Sequence, residues 1–179
     1  MTLNTSTFSL AGKKGLILGV ANESSIAWGC TQLMHQLGAE LVVSCLNDKA
    51  RRFVEPLTQP IGVELVTCNV EEEGELEAAV QHAIARMGQL DFVIHSIAWA
   101  PLADLHGNVI DSSSDGFSRA MAVSCHSFAR LAKLCAPHMP NGGSMLSMTY
   151  LGADEAVPHY GLMGPVKAAL ESLTRYMAM

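Results

Sequence analysis

The chain has 179 residues, of which 49% are hydrophobic and 16% are charged, and its formal net charge is -6 at pH 7. This length and composition fit one globular domain with a substantial core and exclude a disordered chain. The negative charge disfavours nucleic acid and anionic membrane surfaces as partners, and no window holds the roughly 18 consecutive apolar residues that a membrane-spanning helix needs.

Short apolar segments rich in β-branched residues alternate with longer helical patterns, which predicts βαβ units and a doubly wound, Rossmann-like α/β fold with a parallel sheet. In chain order we predict a strand at 14–18, a helix at 25–37, a strand at 40–45, a helix at 47–57, a strand at 63–68, a helix at 71–87, a strand at 90–96, a loop at 97–111, a helix at 113–136, a strand at 144–149 and a helix at 165–179. Pro56 and Pro60 are predicted to close the second helix, and Pro137 the fourth.

A turn of mostly small residues follows the first predicted strand. It lacks the G-x-G-x-x-G spacing, but Gly19 permits a sharp exit from the strand, and Ser24 or Ser25 can cap the next helix. The backbone amides of Ser25 and Ile26 can then face a pyrophosphate group. An ordinary strand-to-helix turn with an N-cap is the alternative, and this segment alone does not decide between them.

The residues after the next three strands are further candidates for cofactor contacts. Ligands of open α/β sheets bind beyond the carboxyl ends of the strands. We therefore predict that the cofactor crevice is lined by Leu46 after the second strand, Asn69 and Val70 after the third, and Ser96 and Ile97 after the fourth. For Asn69, a helix N-cap is an equally plausible role.

Nearby basic residues and a histidine have simpler interpretations. Lys49, Arg51 and Arg52 could meet a 2′-phosphate, but their more common role is the solvated face of a helix. His95 lies in an apolar run, where a histidine is usually packed and hydrogen-bonded rather than catalytic. The residues alone leave both NADH and NADPH open as the cofactor.

Tyr150, Tyr160 and Lys167 follow the fifth predicted strand. A phenol with a nearby ammonium can stabilise a developing oxyanion. On one helix, Lys167 would lie two turns and roughly 10 Å beyond Tyr160, on the same side. Ser147 has the spacing to Tyr160 that short-chain carbonyl reductases use for their catalytic serine, but their lysine position, four residues after the tyrosine, is Gly164 here.

The last predicted helix is still running at Met179, with no Gly, Asn or Pro to end it. A doubly wound dinucleotide fold commonly has a sixth parallel strand, and five are predicted here. We therefore expect residues 1–179 to form a single dinucleotide-binding domain that is incomplete at its C-terminus.

The cysteines and the N-terminal segment bear on the compartment. Five cysteines with no C-x-x-C spacing argue against a complete disulfide framework. Residues 1–10 are rich in Ser and Thr but lack the basic region and apolar core of a secretory signal. We predict a soluble, cytoplasmic protein.

In order and spacing, several segments closely resemble the NADH-dependent enoyl-acyl carrier protein reductases of bacterial fatty-acid synthesis, a divergent branch of the short-chain dehydrogenase/reductase family. The segments are SIAWG at 25–29, HQLGAE at 35–40, NDK at 47–49, HSI at 95–97 and YLGA at 150–153. The resemblance implies hydride transfer from NADH to the β-carbon of a trans-2-enoyl thioester on acyl carrier protein, followed by protonation at the α-carbon.

The resemblance also implies roles for particular residues. Tyr160 would donate to the thioester oxygen, Lys167 would bind the nicotinamide ribose and supply positive charge, and Tyr150 and Ala100 would lie on the substrate side. It further implies a homotetramer without a metal. The segment contacting the nicotinamide carboxamide and the substrate-covering helices would lie beyond Met179.

Three departures from the family pattern stand beside this resemblance. The family usually has Gln at the position of Leu46 and Asp at that of Asn69, and Pro165 would kink a helix unless it lies in the first turn. Two other function classes remain: a short-chain carbonyl reductase using Ser147 and Tyr160, and a catalytically silent nucleotide-binding or assembly module.

Overall fold

A computed structural model describes residues 8–179. Residues 1–7, which belong to the Ser/Thr-rich segment analysed above, lie outside the described residues. The strands are β1 (Lys14–Leu18), β2 (Glu40–Cys45), β3 (Glu64–Thr67), β4 (Phe92–His95) and β5 (Ser144–Ser147). They form one sheet in the order β3-β2-β1-β4-β5, with parallel pairing of β1 to β2, β1 to β4 and β2 to β3.

Seven α-helices connect the strands in the described part of the chain. They are α1 (Ile26–Gln36), α2 (Asp48–Thr58), α3 (Glu75–Met87), α4 (Leu102–His106), α5 (Ser114–Met121), α6 (Ser127–Cys135) and α7 (Met163–Met177). A π-helical turn, Ala122–His126, joins α5 to α6. Among residues 8–179, no helix is both long and apolar enough to cross a bilayer.

The chain divides into two compact units. Unit 1 comprises the described residues up to Ser96 together with Leu134–Leu146, and unit 2 comprises Ile97–Lys133 and Ser147–Met179. The core of unit 1 is built on the fully buried residues of β1, and that of unit 2 on apolar residues of α6 and α7 such as Phe128 and Val166. One domain over 1–179 stays a prediction.

The central position of β1 fixes the edge at which ligands can meet the sheet. Leu18 pairs with Ser44 of β2 on one side and with His95 of β4 on the other. The strand order runs outward from β1 in both directions, so the switch point of the fold lies between β1 and β4. The predicted doubly wound, Rossmann-like fold is confirmed.

Glycine at position 15 is required by close packing within the sheet. A Cβ at Gly15 would overlap the ring of Phe92, its partner on β4. The ring fills the space that a side chain at position 15 would need, so the two strands pair without a gap. Phe92 is itself buried.

The strand bounds 14–18 and 40–45 are confirmed, whereas several helix bounds differ. The helix predicted at 71–87 starts at Glu75, because Gly74 adopts φ 85°, which helix interiors do not accept. Pro56 lies inside α2 rather than closing it, and the helix continues to Thr58. The predicted loop at 97–111 contains α4, and the helix predicted at 113–136 is interrupted by the π-helical turn.

Candidate active site

The turn after β1 has the conformation that its glycine permits. Gly19 adopts φ 99°, and its amide donates to Ser44 O at 3.2 Å. Ser25 is the N-cap residue of α1, but its hydroxyl donates to Asn22 O at 2.7 Å instead of capping the helix. The prediction of a serine side-chain cap at Ser25 is therefore wrong.

The consequence of this turn is a helix N-terminus suited to an anion. The first turn of α1 has neither a side-chain cap nor an acidic residue. Its amides therefore present partial positive charge without a competing carboxylate. Ile26, the first residue of α1, is 62% exposed beside them.

The carboxyl ends of β1 and β4 lie side by side. The amide of Ser96, just after β4, donates to Leu18 O at 3.0 Å. Gly19 and Ser96 therefore flank the switch point of the sheet. Leu46, directly after β2, is 52% exposed at the same edge.

Asn69 and Val70 follow β3 at this edge. The Asn69 amide donates to Glu75 Oε2 at 2.7 Å, and Asn69 Oδ1 accepts from the Glu71 amide at 3.1 Å. The N-cap of α3 is Gly74, so the alternative role of Asn69 as a helix N-cap is wrong. Asn69 is half-buried and Val70 is buried.

Arg51 is committed to its own surroundings. Its guanidinium lies 3.9 Å from Asp48 Oδ1 and 3.6 Å from Glu55 Oε1, and it also donates to Leu65 O at 3.4 Å. These contacts make it part of the charged face of α2. A 2′-phosphate would have to displace them.

In unit 2, two of the predicted catalytic side chains contact each other. The rings of Tyr150 and Tyr160 are 4.6 Å apart between centroids and tilted by 54°. Tyr160 is half-buried, and a Cβ at Gly152 would overlap its ring. Burial raises the pKa of Tyr160, and the Tyr150 phenol adds to that rise. The phenol therefore stays protonated, and able to donate, at neutral pH.

Tyr160 does not lie on the helix that carries Lys167. The helix α7 begins at Met163, and two residues with positive φ precede it, His159 at 64° and Gly161 at 45°. The predicted geometry of two residues two turns apart on one helix is therefore wrong. Pro165 lies in the first turn of α7, where a backbone N–H would have no acceptor within the helix, so its absence breaks no hydrogen bond.

Lys167 is a buried cation with a fixed position. Its side chain is 4% exposed, and Nζ donates to Met148 O at 2.6 Å, just past the end of β5. Burial lowers the pKa of Lys167, whereas the nearby Cys125 thiol acts to raise it. The protonated amine, held in this way, provides preorganised positive charge.

A cavity of about 600 Å³ opens within unit 2. Its lining includes His106, Asp154, His159 and Tyr160. Of the other residues predicted for the site, Ile97, Ala100, Tyr150 and Lys167 do not line it. Tyr160 thus belongs both to the tyrosine pair and to the lining of this cavity.

Two groups at the site were missed from the sequence. Gly152 supports the Tyr160 ring, and its signal was a glycine two residues after Tyr150 in the YLGA segment. The backbone carbonyl of Met148 accepts a hydrogen bond from Lys167. A contact to a backbone carbonyl cannot be recognised from the pattern of side chains in a sequence.

The remaining candidates have structural roles. His95 is fully buried in β4, which confirms its interpretation as a packed residue. All five cysteines are free, and Cys125 is buried while the adjacent His126 is exposed. Within the described range, no three His, Cys, Asp or Glu side chains group closely enough to hold a metal ion.

Comparison with known proteins gives a consistent family. The family described as Enoyl-(Acyl carrier protein) reductase matches residues 19–179. Enoyl-[acyl-carrier-protein] reductase [NADH] 2 of Rhizobium meliloti is 42% identical over 168 residues, which cover 93% of this chain and 63% of that protein. The FabI protein of Synechocystis is 42% identical over 173 residues, covering 94% and 67%.

Solved structures agree in fold and sequence. An enoyl-(acyl-carrier-protein) reductase from Anaplasma phagocytophilum, solved in complex with NAD, has a TM-score of 0.91 at 38% identity, covering 96% of this chain and 66% of that one. The Bacillus cereus enoyl-acyl carrier protein reductase, solved with NADP+ and an indole naphthyridinone, has a TM-score of 0.91 at 34% identity, covering 96% and 68%. The chain thus spans about two thirds of the relatives it matches, and it belongs to the enoyl-(acyl carrier protein) reductase family.

Proposed function

We propose that the intact protein is an NADH-dependent enoyl-acyl carrier protein reductase, which reduces the trans-2 double bond of enoyl thioesters in fatty-acid elongation. Family membership supports this reaction, and relatives such as the Rhizobium meliloti protein carry NADH in their names. The observation that carries the proposal is the pair of groups in unit 2: the half-buried phenol of Tyr160, packed against Tyr150, and the buried ammonium of Lys167.

Each of these residues has a chemical task in the proposed reaction. When bound, NADH would supply a hydride to the β-carbon of the substrate. Tyr160 donates its phenolic proton in a hydrogen bond to the thioester oxygen as negative charge develops there. Lys167 binds ribose hydroxyls and supplies positive charge, while Tyr150 and Ala100 contact the substrate.

Nine residues are proposed to contact the cofactor. They are Gly19, Ser25, Ile26, Leu46, Asn69, Val70, Ser96, Ile97 and Lys167. The uncapped first turn of α1 suits a pyrophosphate, and exposed Ile26 and Leu46 suit flat, partly apolar groups. Because Arg51 is engaged by Asp48 and Glu55, NADH is proposed over NADPH.

The location and assembly belong to the same proposal. Five free cysteines are consistent with a reducing compartment such as the cytoplasm. We propose a homotetramer, which light scattering on the purified protein would test. A monomer or dimer at working concentration would contradict that part.

The proposed reaction is tested by NADH oxidation with crotonyl or longer enoyl thioesters. We expect turnover with these substrates, a lower dissociation constant for NADH than for NADPH, and no turnover of simple ketones. Ketone reduction in place of enoyl reduction would favour a short-chain carbonyl reductase using Ser147. NADH binding without any turnover would favour a silent nucleotide-binding module.

The pH profile is expected to depend on Lys167 rather than on Tyr160. Burial lowers the pKa of Lys167 below 10.5 and raises that of Tyr160 above 10.0. The ammonium is present below its pKa, so kcat/KM should fall as the pH rises through the lowered pKa of Lys167, while Tyr160 is still protonated. In Lys167→Arg this alkaline limb should move to higher pH, because the guanidinium keeps its proton. If the alkaline limb of the Lys167→Arg variant stays at the same pH as in the parent, the limb reports the titration of another group.

Gly152→Ala is expected to disturb the tyrosine pair. The new Cβ would overlap the Tyr160 ring, so the ring must shift or tilt, which changes its contact with Tyr150. Because misplacement by about 1 Å can cost on the order of 10²-fold, we expect kcat/KM to fall by that order. The melting temperature distinguishes this effect from unfolding. A stable variant with full activity would show that the ring position tolerates the shift.

A further inference from the structure

The helical segment that runs from α5 to α6 contains the π-helical turn, which lies beside the proposed site. At Ala122–His126 the hydrogen-bond ladder widens, and the Ser127 amide donates to Ala122 O, five residues earlier. Such π-helical turns are rare and occur frequently at functional sites. Two consecutive residues of this turn, Ser124 and Cys125, are buried, and Ser124 bonds to a residue outside its own helical segment.

Ser124 holds both backbone groups of one distant residue. Its side chain is 0% exposed, and Oγ accepts from the Trp99 amide at 2.7 Å and donates to Trp99 O at 2.8 Å. Trp99 lies between β4 and α4, where the backbone has no regular secondary structure. The Ser124 hydroxyl therefore satisfies both backbone hydrogen-bonding groups of Trp99, as regular secondary structure would otherwise do.

The segment that Ser124 holds belongs to the proposed substrate side. Trp99 directly precedes Ala100, and the Arg119 guanidinium lies 4.6 Å from the centre of the Trp99 ring. With its amide, carbonyl and ring all in contact, Trp99 has little freedom to reorient. Ala100 is the next residue of the chain and is therefore attached directly to this anchored residue.

The same turn also approaches the buried cation. It packs against α7, and the Cys125 thiol is close enough to Lys167 for each group to affect the pKa of the other. The π-helical turn thus contacts both the segment of Ala100 and the helix of Lys167. All of these residues lie in unit 2.

We propose that Ser124 is a positioning residue, whose hydroxyl fixes the Trp99–Ala100 backbone in the orientation that the enoyl substrate requires. This inference rests on the proposed function and extends it to a residue that does not touch the reacting atoms. Removal of the hydroxyl leaves an amide and a carbonyl without their partner, and the segment is expected to move.

Tryptophan fluorescence tests the position of the segment without any turnover. The sequence has two tryptophans, Trp28 and Trp99, so a Trp28→Phe background leaves Trp99 as the emitting residue. In that background, Ser124→Ala should shift the Trp99 emission to longer wavelength and increase its quenching by acrylamide. The matched control is Ser127→Ala, which removes a buried hydroxyl three residues further along the chain. The Ser127 hydroxyl donates to Val123 O at 2.6 Å. The control should leave Trp99 emission unchanged.

Kinetics with the native tryptophans test the consequence for the substrate. We expect Ser124→Ala to raise KM for the enoyl thioester and to lower kcat/KM by about tenfold to a hundredfold, with the NADH dissociation constant unchanged. Ser127→Ala should keep both kinetic parameters near those of the parent. If Ser124→Ala does not fold, Ser124→Cys keeps a weaker hydrogen-bonding group and should show the same shifts at smaller size.

The outcomes separate the two proposals. If the parent protein has no enoyl reductase activity but Trp99 responds to Ser124→Ala, the proposed function fails, and with it the substrate role of Ser124. If the parent is active and Ser124→Ala matches Ser127→Ala in emission, KM and kcat/KM, the positioning role is overturned while the proposed function stands.

Discussion

Tyr160→Phe is expected to lower kcat by about 10²- to 10³-fold, or roughly 2.7 to 4 kcal/mol, because it removes one donor to the developing oxyanion. The ring contact with Tyr150 is retained, so the aromatic packing should survive. Steady-state kinetics with an enoyl thioester measure the effect. The dissociation constant of NADH should change little.

The matched control for this substitution is Tyr176→Phe. Tyr176 lies in α7 of the same unit and is exposed, so loss of its hydroxyl should leave kcat unchanged. Equal rates for Tyr160→Phe and the parent would remove Tyr160 from the mechanism. Equal losses in both variants would indicate a general effect on the unit rather than loss of a donor.

Lys167→Met is expected to reduce kcat/KM by at least about 10²-fold and to weaken NADH binding. The thioether side chain approximates the volume of the lysine but has no charge and no donor for Met148 O. Burial already disfavours the ammonium, as its lowered pKa shows, so the melting temperature should change little. The loss would therefore be functional rather than structural.

Lys133→Met is the control for this second substitution. Lys133 is exposed on α6 in the same unit, and its charge faces solvent. We expect unchanged kinetics and unchanged NADH affinity. A Lys167→Met variant that binds NADH as tightly as the parent would contradict the ribose-binding role proposed for this residue.

Those parts of the fold that depend on local patterns were predictable. The bounds of β1 and β2 follow from apolar runs between Gly and polar residues, and each run lies in the buried centre of the sheet. The role of the prolines in α2 was less predictable. A proline is expected to stop a helix, yet Pro56 loses only one hydrogen bond and α2 continues to Thr58.

The break between α5 and α6 could not be read from the sequence. Residues 113–136 have a continuous helical pattern, and the π-helical turn appears where Ser124 bonds to Trp99, a partner 25 positions away. The placement of Tyr160 outside the helix that carries Lys167 could not be predicted either, because it too depends on the folded backbone. The positive φ of His159 and Gly161 separates the tyrosine from the helix, and a carbonyl supplied by the fold holds the lysine.

The central place of β1 has a consequence for synthesis on the ribosome. One edge of β1 pairs with β2, which is synthesised soon after β1. The other edge pairs with β4, which is synthesised only after β3 and α3. Until then the nascent chain carries an unpaired strand edge that includes the apolar residues Leu16, Ile17 and Leu18, a template for association with other chains. The strand that ends up best protected in the finished protein is thus the one most vulnerable while it is being made.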